Sequence, residues 1–315
     1  MGGYVCRRNP LGMRGPTVGA DSHVITASAI AAEDLRRAIE MAGKELDGLY
    51  AGGVAAAHAV LTAEEREVGT VLIDIGAGTT DVVAYAGGTP FCTFVLPVGG
   101  NQIAGDLAIS LNTPAHVAER LLLEEGSATA EGVDPTDELT IRCFGPTGIR
   151  TLRRAFLIEV IRLRVEELLR MSFLQAAERS PEPFEGNVVL TGGVANLRGI
   201  EALAAGVLES HVRIGRPADA SKEPTDLANP SYAAAIGAVR MPIESGLFPW
   251  KAASQTNRLP SLWPRWSFAR RTTPGLAVST ASASRVTVGN AGGARVSKDV
   301  AIGKGGRTVT FVAPH

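Results

Sequence analysis

Apolar positions follow two different rhythms along the chain, and their interleaving predicts a mixed α/β protein. Val71-Leu72-Ile73-Asp74-Ile75 and Val82-Val83-Ala84-Tyr85 are β-branched-rich runs on either side of a small-residue turn, which predicts a hairpin. A third run, Phe91 to Val98, follows the Gly87-Gly88 turn and completes a meander. The spacing then turns helical over Gln102 to Leu111, where Ile103, Leu107 and Leu111 recur at i+4. A second helix is predicted over Ala115 to Glu125, with Pro114 at its first position. A turn-rich stretch containing one strand, Leu139 to Phe144, leads to the longest helix, Thr151 to Glu178. Leu157, Ile161, Val165 and Leu168 form its apolar stripe, with Arg162, Arg164, Glu166 and Glu167 interspersed as a solvated face.

Upstream of the meander, His23 to Thr26 reads as a short strand and Ala31 to Ala42 as a helix stopped by Gly43. Leu49 to Gly53 reads as a small-residue strand, and Ala55 to Leu61 as a helical stretch ending in the charged turn Thr62 to Glu67. Pro181 and Pro183 break the long helix. Asn187 to Thr191 is then a strand, which Gly192-Gly193 turns directly into a helix over Leu197 to Leu208. His211 to Ile214 resumes as a strand, and Pro230 to Val239 is a small-residue helix suited to close packing.

Composition divides the chain in two. At 315 residues and 45% apolar, it is long enough for two domains, or for one large domain with a tail; at 5% aromatic, aliphatics build the core. Net charge is −1, yet residues 251–315 hold ten Lys/Arg against the single acid Asp299, leaving an acidic body ahead of a basic tail. All three tryptophans, Trp250, Trp263 and Trp266, fall after residue 240. Trp263 and Trp266 with Arg265, Arg270 and Arg271 make an aromatic, basic segment of the kind that sits at lipid headgroups. A basic tail binding any polyanion is the alternative. Thr272 to His315 is low in complexity and expected to be disordered. Cys6, Cys92 and Cys143 are scattered without metal-ligand spacing, and no run of 18 apolar residues predicts a membrane span.

Two stretches carry candidate chemistry. In the hairpin turn, Asp74 opens a loop that Gly76 and Gly78 strip of side chains and Thr79 and Thr80 close. Bare backbone lets a phosphate approach the N–H groups, threonine hydroxyls add donors, and a carboxylate beside a triphosphate holds hydrated Mg²⁺. In the second, a strand delivers Gly192-Gly193 to a helix, leaving backbone against which a flat ligand can lie.

The pattern resembles one family. Leu61 to Gly69 running into Asp74-Ile75-Gly76-Ala77-Gly78-Thr79-Thr80-Asp81 looks like the bacterial cell-division FtsA family, within the actin/Hsp70-like ATPases. So do Leu96 to Ala108, Val189 to Ile200 and Val212 to Pro217, while Asn9 to Met13 and His23 to Thr26 resemble the end of the family's inserted subdomain. The fold implied is the second lobe of an actin-like (ribonuclease-H-like) ATPase, a mixed sheet with flanking helices, followed by a disordered tail. The domains implied are 1–47 as a remnant of inserted subdomain and first lobe, 48–240 as the second lobe with an outer subdomain at about 126–183, and 241–315 as tail.

The resemblance implies ATP and Mg as cofactors. Asp74, Gly76, Gly78, Thr79 and Thr80 would surround the phosphates, with Asp74 holding Mg through water. Gly192 and Gly193 would face the adenosine, and Arg164 and Glu167 on the long helix would reach the ribose. It implies a scaffold, at most a weak ATPase with no catalytic residue assigned, that contacts FtsZ and self-associates into actin-like filaments. Such a protein attaches to the inner face of the cell membrane at the division site, here through the tail, with no nucleic-acid partner. Family members carry a strand, a first phosphate loop and most of an inserted subdomain before anything like Arg7, so impairment by N-terminal truncation is expected. Alternatives on the same fold are a sugar kinase, an exopolyphosphatase-type phosphotransfer enzyme and a pilus-assembly adaptor.

Overall fold

In the computed structural model, residues 17–145, 148–180, 187–217, 225–244, 284–289 and 308–312 are described. The segment holding Trp250, Trp263, Trp266, Arg265, Arg270 and Arg271 lies outside them.

A five-stranded sheet sits at the centre. β1 (Thr17–Ser22), β2 (Val24–Ser28) and α1 (Ala29–Met41) precede it, followed by α2 (Gly52–Val60) and α3 (Ala63–Val68). The meander is β3 (Thr70–Ile75), β4 (Thr80–Ala86) and β5 (Thr89–Leu96). Next come α4 (Gly100–Leu111), α5 (Ala115–Glu125), the hairpin β6 (Glu138–Arg142) and β7 (Ile149–Arg153), and α6 (Arg154–Glu178). β8 (Asn187–Thr191), α7 (Ile200–Leu208), β9 (Val212–Ile214) and α8 (Ala233–Glu244) complete the body. The sheet order is β5-β4-β3-β8-β9, antiparallel within the meander and parallel from β3 to β8 to β9.

Strand periodicity distributes the core between the two faces. Val71, Ile73, Ile75, Val82, Ala84, Val188 and Leu190 point to one side, where α4 to α7 cover them with Ile103, Leu107, Leu121, Ile161 and Leu168. Leu72, Val83, Tyr85 and Val189 point to the other, against the alanines of α2 and against Ala233 and Met241 of α8. The α2–α8 layer is built on backbone contact. A Cβ placed on Gly237 would stand 1.7 Å from the carbonyl oxygen of Ala55, so only glycine lets α8 lie this close to α2.

Several elements differ from the sequence expectation. Leu49 to Gly53 adds no strand to the sheet: α2 begins at Gly52, because its small residues pack flat against β4. The charged stretch after Leu61 is the helix α3 rather than a turn. Its capping box closes when Glu65 N–H donates to Thr62 Oγ1 at 3.2 Å and Thr62 N–H donates to Glu65 Oε2 at 2.8 Å. The long helix starts at Arg154, since residues 149–153 pair instead with β6, Glu138 opposite Arg153. Gly192-Gly193 leads into a 3₁₀ turn over Gly193–Asn196, and α7 proper waits for Ile200, after Gly199 in the left-handed region (φ 76°). α8 runs on to Glu244 with Pro242 inside it. In the tail, β10 (Ser284–Gly289) pairs with β1 and β11 (Thr308–Val312) with β2, both antiparallel, in runs of β-branched residues, Val286-Thr287-Val288 and Thr308-Val309-Thr310. Among the described residues, no helix is long and apolar enough to cross a membrane.

Candidate functional site

The site is built where β3 turns into β4. Register places Asp74 directly across from Asp81, Ile75 from Thr80, and Asp74 beside Thr191 of β8. Between the strands, Gly76 N–H donates to the Thr79 carbonyl at 2.9 Å and closes the turn. The carbonyls of Gly76 and Ala77 accept from Gly100 N–H (3.0 Å) and Asn101 N–H (2.7 Å), the first donors of α4. A Cβ on Gly99 would lie 2.6 Å from the Gly76 oxygen, so a bare backbone at 99 is what lets α4 grip the loop. With the Gly76, Ala77 and Thr79 carbonyls taken, the loop has Ala77, Gly78 and Thr79 exposed, and their N–H groups meet no acceptor among the described residues. Outward N–H groups on a rigid turn suit an anion.

Thr80 sits differently from Thr79. It is fully buried and its hydroxyl donates to the Val98 carbonyl at 2.8 Å, so it anchors the loop from beneath.

Asp74 and Asp81 share the α2 side of the sheet. Burial pushes the Asp74 carboxyl up to about 7, and the facing Asp81 adds to the effect. Burial also raises Asp81, partly offset by the nearby Gly53 N–H at the start of α2. Two half-buried carboxylates facing each other, with no base against Asp74 among the described residues, suit a hydrated divalent cation.

Gly192 closes the other side of Asp74. Its φ is 86°, and a Cβ there would come within 2.4 Å of Asp74 Oδ1 and 2.5 Å of the Ile75 carbonyl. The Gly192 N–H donates to the Pro230 carbonyl at 3.3 Å, and Thr191 Oγ1 donates to the same oxygen at 3.2 Å. Asn196 Nδ2, at the end of the 3₁₀ turn, donates to Asn229 Oδ1 (2.9 Å) and to Ser231 Oγ (3.2 Å). The segment before α8 therefore frames the Gly192-Gly193 backbone.

The structure thus brings Asp74, Gly76, Gly78, Thr79, Thr80 and Gly192-Gly193 together. It does not join Arg164 and Glu167 to them. Arg164 pairs bidentately with Asp106 of α4, Nη2 to Oδ1 at 3.0 Å, and donates to Glu167 at 2.6 Å. The pair lines a surface cavity of about 260 Å³ with Asp106, Ile109 and Leu163. Sequence reasoning left out Asp81, Gly53, Gly99 and the Asn229–Ser231 segment. Of these only Asp81 leaves a signal, a carboxylate inside a β-branched strand.

Comparison with known proteins places the chain in a family. The family described as "Cell division protein FtsA" matches residues 71–237, just over half of the chain. The FtsA of Escherichia coli K12 is 34% identical over 248 residues, covering 76% of this chain and 59% of that protein. The FtsA of Pseudomonas aeruginosa is 31% identical over 231 residues, covering 73% and 55%. The chain thus spans under two thirds of the length of these curated relatives. Among solved structures, MreB5 of Spiroplasma citri bound to ADP superposes with a TM-score of 0.56 at 17% identity, over 70% of this chain and 66% of that one. The MamK double helical filament gives 0.51 at 20% identity, over 68% and 65%. These two neighbours show an actin-like fold. On the match of its central residues and its relatives, the chain belongs to the FtsA family of cell-division proteins.

Proposed function

We propose that this protein is an ATP-binding, actin-like scaffold of bacterial cell division. The observation that carries the reading is the hairpin loop, whose exposed N–H groups at 77–79 stand beside the Asp74–Asp81 pair. Gly76, Gly78 and Thr79 hold the phosphates, Thr80 braces them, and Gly192-Gly193 provide the adenosine floor. Asp74 would hold a hydrated Mg²⁺, which would supply charge neutralisation at the phosphates. The MreB5 structures, described as bound to ADP and to AMPPNP, support nucleotide binding on this fold. The MamK filament supports self-association into filaments.

The scaffold reading extends to FtsZ, met through the outer part of the body at about 126–183. It extends also to an anionic membrane surface at the division site, met through Trp263, Trp266, Arg265, Arg270 and Arg271. Titration with a fluorescent ATP analogue tests the core of the proposal. Saturable binding that needs Mg²⁺, with the Mg dependence lost in Asp74→Ala, is expected; absence of binding by the unsubstituted chain overturns it. For the tail, the full chain should co-sediment with anionic vesicles at low salt and a 1–249 chain should not. If both stay in the supernatant, the membrane assignment falls.

A further inference from the structure

The 3₁₀ turn that begins at Gly193 ends on Asn196, an exposed residue whose amide can stand only one way round. Asn196 Nδ2 donates to the Gly193 carbonyl at 3.2 Å, to Asn229 Oδ1 at 2.9 Å and to Ser231 Oγ at 3.2 Å. A carbonyl only accepts, so the atom facing Gly193 is the nitrogen and the amide cannot be reversed. Both of its N–H bonds are therefore engaged within the cluster, shared among three acceptors. Oδ1 is left over, with no donor among the described residues.

The neighbours are fixed in the same way. Ser231 N–H donates to Asn229 Oδ1 at 2.9 Å, so that atom is the oxygen and Asn229 keeps its Nδ2 donors. Ser231 Oγ accepts from Asn196 and keeps its own proton to donate. The cluster thus presents one acceptor with donors beside it. It borders bare backbone: Gly193 is exposed, and a Cβ there would stand 3.8 Å from Ser231 Oγ. A flat ring lying on Gly193 meets this cluster with its edge.

The geometry points to Asn196 as the specificity-determining residue for the base: its Oδ1 accepts the exocyclic amine of adenine, so the site takes adenine nucleotides and disfavours 6-oxopurines. The assignment rests on the nucleotide reading above and says which base that reading requires. Adenine carries its N6 amine between two ring acceptors, N1 and N7, which matches an acceptor with donors beside it. Guanine or hypoxanthine sets O6 in that place, oxygen against oxygen, and leaves Asn196 Oδ1 without a partner. Because Asn196 is exposed, water makes good part of the loss, and the preference is moderate rather than absolute.

Calorimetric titration of the full chain with ATP and with ITP, each with Mg²⁺, reads the preference directly, since the two nucleotides share ribose and phosphates. ATP should bind about three- to tenfold tighter, the worth of one such hydrogen bond. Purine riboside triphosphate, which has only hydrogen in place of the amine, should fall between the two and needs no variant. Asn196→Ala should bring the ATP and ITP affinities together by weakening ATP and leaving ITP unchanged. A merely structural Asn196 would instead weaken both nucleotides and keep their ratio. ITP or purine riboside triphosphate binding the unsubstituted chain as tightly as ATP, or a ratio that survives Asn196→Ala, overturns the base assignment alone. If the unsubstituted chain binds none of the three, the nucleotide reading falls and this proposal with it.

Discussion

Replacing Gly192 by alanine perturbs the site at its tightest point, and the cost follows from two independent terms. The backbone there has φ 86° and ψ 177°, a region open essentially to glycine alone. A side chain held in it costs about 1–3 kcal/mol. The new methyl would lie 2.4 Å from Asp74 Oδ1 and 2.5 Å from the Ile75 carbonyl, well inside contact distance. Overpacking of that kind costs about 1–3 kcal/mol more. Together they come to roughly 2–6 kcal/mol, a large share of the 5–15 kcal/mol typical of a whole domain. For a body of this size each kcal/mol moves the midpoint by about 2–4 °C, so Gly192→Ala should unfold roughly 5–20 °C early. Circular dichroism during heating measures it. The same measurement on Gly192→Ala combined with Asp74→Ala separates the terms: removing the carboxylate should return about 1 kcal/mol, leaving the backbone strain and the Ile75 clash. A Gly192→Ala protein melting within 2 °C of the unsubstituted chain would refute the contact argument.

Three further outcomes are expected. With Asp74 pushed up to about 7 in the folded protein from 3.8, its protonated form is favoured by folding. That contribution is fully present below the unfolded value and is lost as pH rises through the folded one. Urea unfolding in EDTA should therefore show the chain more stable near pH 5 than near pH 8, with Asp74→Asn flattening the difference; identical slopes for the two proteins would contradict it. Arg213 donates to both Glu65 oxygens, at 2.6 and 2.7 Å, and to the Val60 carbonyl at 2.8 Å, joining β9 to α2 and α3. Arg213→Ala should cost about 1–3 kcal/mol by denaturant titration, because it leaves partly buried acceptors unmet. Thr62→Ala removes the α3 cap and should cost about 1 kcal/mol in the same titration, with any change under 0.3 kcal/mol counting against the capping box.

The parts legible in the sequence are those set by local pattern. The meander shows because β-branched runs flank glycine turns, and α4 because its apolar residues repeat every four positions. The Asp74 loop and Gly192 show because glycine and carboxylate are out of place in apolar strands. The parts missed depend on partners distant in the chain. Leu49 to Gly53 has too few side chains to declare a period, and only packing on β4 makes Gly52 and Gly53 helical. Thr151 to Arg153 looks helical from its neighbours until Glu138 to Thr140 claim it as a strand. Arg164 illustrates the same limit at the site. Charge on a helix face says nothing about what it meets, and its partner Asp106 lies 58 positions earlier. The α3 helix is a different case, because Thr62 and Glu65 carry a capping box that was there to read.

The Gly237–Ala55 contact also sets an order of events during synthesis. The α4–α7 face of the sheet is completed by residues up to Val212, and its strands and helices are mostly sequential neighbours. The opposite face, packed first by α2 alone, is completed only when α8 emerges to close on α2, an element some 180 positions earlier in the chain. Non-local closure of this kind is slow compared with hairpins and neighbouring helices. On the ribosome, α2 covers its part of Leu72, Val83, Tyr85 and Val189 early, but the side of that layer taken by Ala233 and Met241 stays open until α8 arrives, and a nascent chain halted before residue 233 is a natural client for a chaperone.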